Sequence, residues 1–323
     1  MAKGHSTGLA VVAVESLALA GLVESAQRRL GGAKAENTRR AYRADAAAFV
    51  AWCAGHGREA MPANPETVLL YANALADAGK KPATIRRAVT SIAVAHKAQG
   101  LESPCSHPLV IDGLRGIRRE LGTAQRQAAP VTPTQLRAMS QALGKDLRGI
   151  RDRAMLVLGF AGAFRRSEIG NLAVQDLAFD ASGLTITVRR SKTDQEGAGE
   201  RVGLPFGSDP LTCPVRLVRA WLDAAGIVDG FAFRSVTNGD KVLAEPANGH
   251  AVNRAIKRAA KAAGLAGFSA HSLRAGLATA AAKAGKSDRA IMKQGRWKSR
   301  AMVDRYVRDA TLFEDNAASG IGL

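Results

Sequence analysis

Residues 295–308 read GRWKSRAMVDRYVR. They hold one of the three tyrosines of this 323-residue chain, Tyr306, among five basic side chains: Arg296, Lys298, Arg300, Arg305 and Arg308. Ser299 is placed to cap a helix over 300–309. Two readings of that helix compete. Most tyrosines on amphipathic helices pack a ring and wet a hydroxyl, and most Arg/Lys runs are solvated faces. The other reading gathers charge around a phenol for chemistry, and only the rest of the chain can decide between them.

Working upstream, helical segments are expected near 288–294, 270–284, 250–263 and 214–225, with Ser287 and Ser269 as caps. Before them LTITVRRSK alternates Leu184, Ile186 and Val188 inward, and RVGLPF returns after the Gly-rich DQEGAGE turn, which reads as a β-hairpin. A long helix over about 148–163 carries the apolar run AMLVLGF, and Thr132 with Gln135 makes a capping-box pattern at the head of this half. Residues 132–323 are therefore expected to be mostly α with a small antiparallel sheet. Residues 122–131, small and polar, read as a linker.

Residues 34–121 hold four expected helices. The first takes Asn37 as cap and Gly55 as stop, with Tyr42, Phe49 and Trp52 on one face. The second has Asn64 as cap, Pro65 at its first position and Gly79 as stop. The third buries Ile85, Ala88, Ile92 and Ala95 and turns Arg86 and Arg87 outward, and a short fourth lies within 107–121. Residues 1–33 read as a tail with an amphipathic helix over GLAVVAVESLALAGLV (8–23), where Glu15 interrupts the apolar run. Residues 309–323 contain no Lys or Arg but carry Leu312 and Phe313, so this end is expected to dock on another surface or subunit.

With 46 basic against 28 acidic residues the net charge is +18, which points to a polyanionic partner. Residues 1–130 hold 17 basic against 10 acidic residues and residues 131–323 hold 29 against 18, so both halves would meet it. Nucleic acid suits that spread better than an anionic membrane. Cys53, Cys105 and Cys213 are scattered, no CxxC or HExxH is present, and no apolar run reaches the ~20 residues of a membrane span. The expectation is a cytoplasmic, nucleoid-associated protein without metal or cofactor.

Breaking a phosphodiester without a metal calls for cations fixed around the phosphate, an in-line nucleophile and an acid for the leaving oxygen. GAFRRSEIGNL supplies Arg165, followed by Glu168, which could hold a guanidinium. RRSKTDQ puts Lys192 at a hairpin tip, and SAHSLRAG sets His271 and Arg274 three apart on one helix face. Trp297 precedes Tyr306 by nine residues. Each alone has a bland reading as a surface residue, a capped helix start or core packing. By chemistry alone Arg166 competes with Arg165, and Arg189 or Arg190 with Lys192.

In order and spacing these residues resemble the tyrosine recombinases, or phage integrases, whose pattern is Arg, a hairpin Lys, His-x-x-Arg, His or Trp, and Tyr. Here that pattern falls on Arg165, Lys192, His271, Arg274, Trp297 and Tyr306, with Glu168 at the acidic position after the first Arg. The R-x-S-E and G-x-W…Y contexts add to it, and the resemblance spans about 34–313. Trp rather than His at 297 points to a phage-encoded subgroup.

The resemblance implies a helical core-type DNA-binding domain (34–121) and a catalytic domain (132–323). Tyr306 would attack the scissile phosphate to give a 3′-phosphotyrosine link, and Arg165 and Arg274 would clamp its oxygens. Lys192 would protonate the leaving 5′-oxygen, His271 would hydrogen-bond the phosphate or help take the tyrosine proton, and Trp297 would donate its indole N–H and pack Tyr306. Arg39, Arg40, Arg43, Arg86, Arg87, Arg189, Arg190, Lys298 and Arg300 are expected to bind DNA, and the five cations around Tyr306 to hold its backbone. The implied partners are double-stranded DNA with an inverted-repeat site and three further copies of the chain around a Holliday junction, with or without accessory DNA-bending proteins. Free protein would be monomeric or weakly associating. A type IB topoisomerase-like relaxing enzyme and a non-catalytic architectural DNA-binding protein are the rival readings. Dependence on a defined inverted repeat separates the first, and loss of a catalytic position would mark the second.

Overall fold

Local side-chain chemistry sets most of the helix starts. A computed structural model describes residues 36–122, 129–189, 199–310 and 318, the side chains of 37, 305 and 307–310 excepted. The chain divides into two compact units, Met1–Gln125 and Arg126–Leu323, mainly helical with a small antiparallel sheet in the second. The expected N-terminal helix, Arg190 and Lys192, and the tail residues Leu312 and Phe313 lie outside the described residues.

The first unit holds α1 (Glu36–Gly55), α2 (Pro65–Asp77), α3 (Pro82–Ala98) and α4 (Pro108–Leu121). The Asn64 side chain accepts the Thr67 N–H at 2.8 Å, and Pro65 fills a position whose N–H would have no partner within the helix. Two expected caps move. The chain is already helical at Glu36, so Asn37 lies inside α1; Gly55 is its last residue, and Gly57, at φ 61, takes the left-handed turn instead.

Phe49, Tyr71, Ile85, Val89, Ile92 and Val110 are among the core residues of this unit. Full burial of side chains of this size stabilises by ~1.5–3 kcal/mol each. Arg86 and Arg87 face out as expected, but Ala95 is only half-buried and its neighbour His96 is fully buried. The Ala63 N–H donates to Nε2 at 2.9 Å, and Nδ1 donates to the Ile92 carbonyl at 2.9 Å. Both ring nitrogens are satisfied, which is what lets a histidine lie in a core.

The second unit opens with α5 (Pro133–Gln141), where Gln135 N–H donates to Thr132 Oγ1 and Thr132 N–H to Gln135 Oε1, closing the capping box. Val131, read as the end of the linker, is wholly buried in this unit and donates its N–H to the Ser272 carbonyl at 3.0 Å. In α6 (Leu147–Ala161) Met155, Leu156, Val157 and Leu158 are all buried, so this helix lies in the middle of the unit. The short α7 (Arg166–Asn171) follows.

Strands β1 (Leu177–Asp180), β2 (Gly183–Val188) and β3 (Glu200–Pro205) pair antiparallel in that order, Leu184 opposite Leu204 and Ile186 opposite Val202. Leu184, Ile186 and Val188 are buried, as the alternation predicts. β1 is an addition to the expected hairpin. So is the pair that follows α8 (Pro214–Ala225), β4 (Arg234–Val236) with β5 (Val242–Pro246). Strands of three to five residues are too short for a period of two to stand out. Four helices close the unit: α9 (Gly249–Ala262), α10 (Ala270–Lys283), α11 (Asp288–Gly295) and α12 (Arg300–Ala310).

Candidate active site

The start of α10 is fixed from two directions. Ser272 Oγ accepts the Ser269 N–H at 3.1 Å, and Asn253 Oδ1, from α9, accepts the Ala270 N–H at 3.1 Å. His271 and Arg274 then project one above the other from the first turn. Arg274 is 5% exposed. Its Nη1 donates to the Ala163 carbonyl and its Nη2 to the Gly295 carbonyl at 2.9 Å. The guanidinium carbon lies 4.8 Å from the Trp297 ring centre. Burial, with Arg165 beside it, lowers the Arg274 pKa to about 10 against the opposing pull of Glu168, and it stays charged at neutral pH.

Trp297 reaches this place through an unusual turn. α11 begins on Ser287, whose Oγ accepts the Ala290 N–H, and ends at Gly295. Arg296 takes the left-handed position after it, at φ 55, and Trp297 N–H donates back to the Met292 carbonyl at 3.1 Å. That pairing closes the helix in the way glycine usually does. Gly295 is needed for a different reason: a Cβ there would lie 1.8 Å from the Trp297 ring. Trp297 is buried with Ala163, Ala278, Ile291 and Val303, and Tyr306 packs against that cluster. The two rings are 6.0 Å apart and tilted by 47°.

Tyr306 Oη is 3.2 Å from His271 Nε2. His271 stands at the exposed rim, yet the atoms packed about its ring lower its pKa, and the Arg274 charge adds to that. Arg165, His271, Arg274, Trp297 and Tyr306 all line one cavity of about 900 Å³, joined by Arg166 and Asn253. Arg165 precedes α7 and is held by Glu168, which accepts its Nη1 at 2.6 Å and its backbone N–H at 2.9 Å. Glu168 is buried, and its Oε2 also accepts Arg296 Nη2 at 2.7 Å.

Arg296 therefore departs from expectation: it is buried behind the cavity, not spread along DNA with its neighbours. Lys298 and Arg300 are exposed, and Arg300 lies 2.9 Å from Asp288. Arg189 pairs with Asp176. In the first unit Arg40 and Arg86 are exposed, Arg39 and Arg43 pair with Glu36, and Arg87 makes two hydrogen bonds to Asp45, at 2.7 and 3.0 Å. Asn253, missed in the sequence, shows nothing there beyond a helical position. The charge arrangement suits an anion: Arg165, Arg166 and Arg274 line the cavity, and Glu168 is committed to Arg165 and Arg296. Among the described residues no three His, Cys, Asp or Glu side chains gather as a metal site would need, and no helix is long and apolar enough to cross a membrane.

Residues 130–312 match the phage integrase family model. The chain is 40% identical over 301 residues to the integrase/recombinase XerD homolog of Selenomonas ruminantium, covering 90% of this chain and 87% of that relative. It is 28% identical over 283 residues to recombinase Cre of Escherichia phage P1, covering 81% and 80%. The phage-encoded likeness expected from Trp297 is present, but the XerD homolog is the more similar of these two. Among solved structures, a lambda integrase (75–356) dimer bound to a COC′ core site covers 89% of this chain and 94% of that one, with a TM-score of 0.57 at 15% identity. A lambda integrase tetramer bound to a Holliday junction covers 90% and 78%, with a TM-score of 0.57 at 15% identity. Likeness at that identity is one of fold.

Proposed function

The chain belongs to the phage integrase family of tyrosine recombinases, and from that premise we propose that it is a site-specific DNA recombinase that cuts and rejoins strands through a 3′-phosphotyrosine intermediate. The observation that carries this reading is the meeting of Tyr306, His271, Arg274, Arg165 and Trp297 on one cavity.

Tyr306 Oη attacks the scissile phosphorus; the Oη–P bond forms and the bond from phosphorus to the 5′-oxygen breaks. An unperturbed phenol has a pKa near 10, so losing its proton at pH 7 costs ~4 kcal/mol. His271, at hydrogen-bond distance, accepts that proton. Arg165 and Arg274 hold the non-bridging oxygens, and planar guanidinium groups fixed beforehand suit a pentavalent phosphorus. Lys192 protonates the departing 5′-oxygen. Trp297 carries Tyr306 on one side and Arg274 on its face; the indole N–H donation expected for it stays part of the proposal. The tyrosyl ester keeps the phosphodiester energy, so a 5′-hydroxyl can reverse the step without ATP or a metal.

The partner is duplex DNA with inverted half-sites, bound by four copies that exchange strands through a Holliday junction, one C-terminal tail docking on the next protomer. Arg39, Arg40, Arg43, Arg86, Arg87, Arg189, Arg190, Lys298 and Arg300 hold its backbone. Ion pairs at the surface are worth ~0–1 kcal/mol, so those arginines that have acidic partners exchange them for phosphates at little cost.

Incubating the protein, with chelator, with nicked duplexes tiled across the DNA flanking its gene tests this. The expected result is a covalent protein–DNA adduct on one tile; no adduct on any tile counts against the reading.

A further inference from the structure

Arg296 sits where glycine would be comfortable. It follows α11 at φ 55 and ψ 44, a backbone conformation that long side chains adopt only when their surroundings hold them there. What holds it is a set of specific contacts. Its side chain is 3% exposed. Nη2 donates to Glu168 Oε2 at 2.7 Å and Nη1 to the Gly162 carbonyl at 3.1 Å, while the guanidinium carbon lies 4.7 Å from the Phe164 ring centre. Nε lies 3.7 Å from Glu200 Oε2 on β3, too far for a hydrogen bond.

Arg296 does not line the cavity. It stands behind Glu168, whose other oxygen accepts from Arg165 at 2.6 Å. A buried carboxylate at that distance orients Arg165 but also offsets its charge, and the low local dielectric makes the offset strong. A second guanidinium on the far oxygen restores the balance. It also ties the 162–164 turn to the turn that presents Trp297, the same two segments that Arg274 joins through Ala163 and Gly295.

We propose that Arg296 is a positioning residue for strand cleavage: sharing Glu168 with Arg165, it fixes that carboxylate and leaves the charge of Arg165 available to the scissile phosphate. This rests on the recombinase reading above. The step it serves is the attack of Tyr306 on phosphorus, and Arg296 itself touches neither DNA nor the reacting atoms.

Arg296→Gly removes the guanidinium and relieves the backbone. On the tile that the wild-type protein cleaves, the first-order rate of covalent adduct formation at saturating protein should fall about 10- to 100-fold, the range typical of groups that fix a functional side chain. Affinity for the same tile should stay within about threefold, since it comes from phosphate contacts made elsewhere. Arg296→Lys should fall between the two rates. In a Glu168→Gln protein, adding Arg296→Gly should change the rate by less than about threefold, because both changes break one unit. A wild-type rate for Arg296→Gly, a parallel loss of affinity, or full independent losses in the double variant would overturn the proposal. Should the glycine variant not fold, Arg296→Lys decides, because one ammonium cannot span Glu168 and Gly162 as a fork does: a reduced rate with affinity kept supports the proposal, and a wild-type rate overturns it. If wild-type protein cleaves no tile, the recombinase reading itself fails; if it cleaves and Arg296→Gly matches it, only the role of Arg296 falls.

Discussion

The phenol oxygen of Tyr306 stands 3.2 Å from Nε2 of His271. Partial burial and the Arg274 charge hold that imidazole below its ordinary pKa of 6.5, so the neutral ring dominates at pH 7. With Nε2 unprotonated it accepts the phenol's hydrogen bond and is ready to accept its proton.

Cleavage should therefore weaken on acidification. His271 takes up its proton below pH 6.5, in the range of its depressed folded pKa, and the acceptor is lost there. The unfolded chain binds that proton first, so this residue's contribution to stability also declines as pH falls from 6.5 to the folded pKa, then levels off. Single-turnover cleavage against pH, with an NMR titration of the His271 ring, checks both. An imidazole titrating at or above 6.5 contradicts the assignment.

Arg274→Lys should cost far more activity than affinity. Its fork spans the Ala163 and Gly295 carbonyls, and a lysine cannot hold both while facing a phosphate. Losing one preorganised donor lowers cleavage by about 100- to 1,000-fold. Adduct formation beside a gel-shift titration measures the split, and parallel losses would count against the clamp.

Gly295→Ala tests the turn that presents Trp297. Its Cβ would lie 1.8 Å from the indole ring, so the ring or α11 must move. Overpacking of this kind destabilises by ~1–3 kcal/mol. For a unit of this size that lowers the thermal midpoint by about 2–4 °C per kcal/mol. Calorimetry reads the shift, and an unchanged midpoint would mean that the contact is not made.

His96→Ala should loosen the first unit. It opens a cavity and leaves the Ala63 N–H without its acceptor. An unsatisfied buried donor alone costs ~1–3 kcal/mol. Hydrogen exchange of α2 and α3 should accelerate, while the second unit keeps its protection.

The helix starts were legible because their chemistry is local. Asn64 with Pro65, Thr132 with Gln135 and Ser287 act on N–H groups within three residues, and the β2 alternation is likewise written in six consecutive positions. His96 was not, since its acceptor role depends on Ala63, 33 residues away. Arg296 was hidden more deeply. The sequence leaves Arg296 among the surface cations around Tyr306, and only a contact with Glu168, 128 residues upstream, buries it. Helical spacing related His271 to Arg274, but joining that pair to Arg165, Trp297 and Tyr306 rested on the needs of phosphodiester cleavage and on family resemblance, because no periodicity relates residues 165 and 306.

The identity of the nucleophile is tested most directly by trapping wild-type and Tyr306→Phe proteins on the cleaved duplex, digesting them, and mapping the nucleotide-bearing peptide by mass spectrometry. The expected result is a 3′-nucleotide on the peptide containing Tyr306, and a Tyr306→Phe protein that still binds the duplex but forms no adduct. An adduct on another residue, or one formed by the Tyr306→Phe protein, would contradict it.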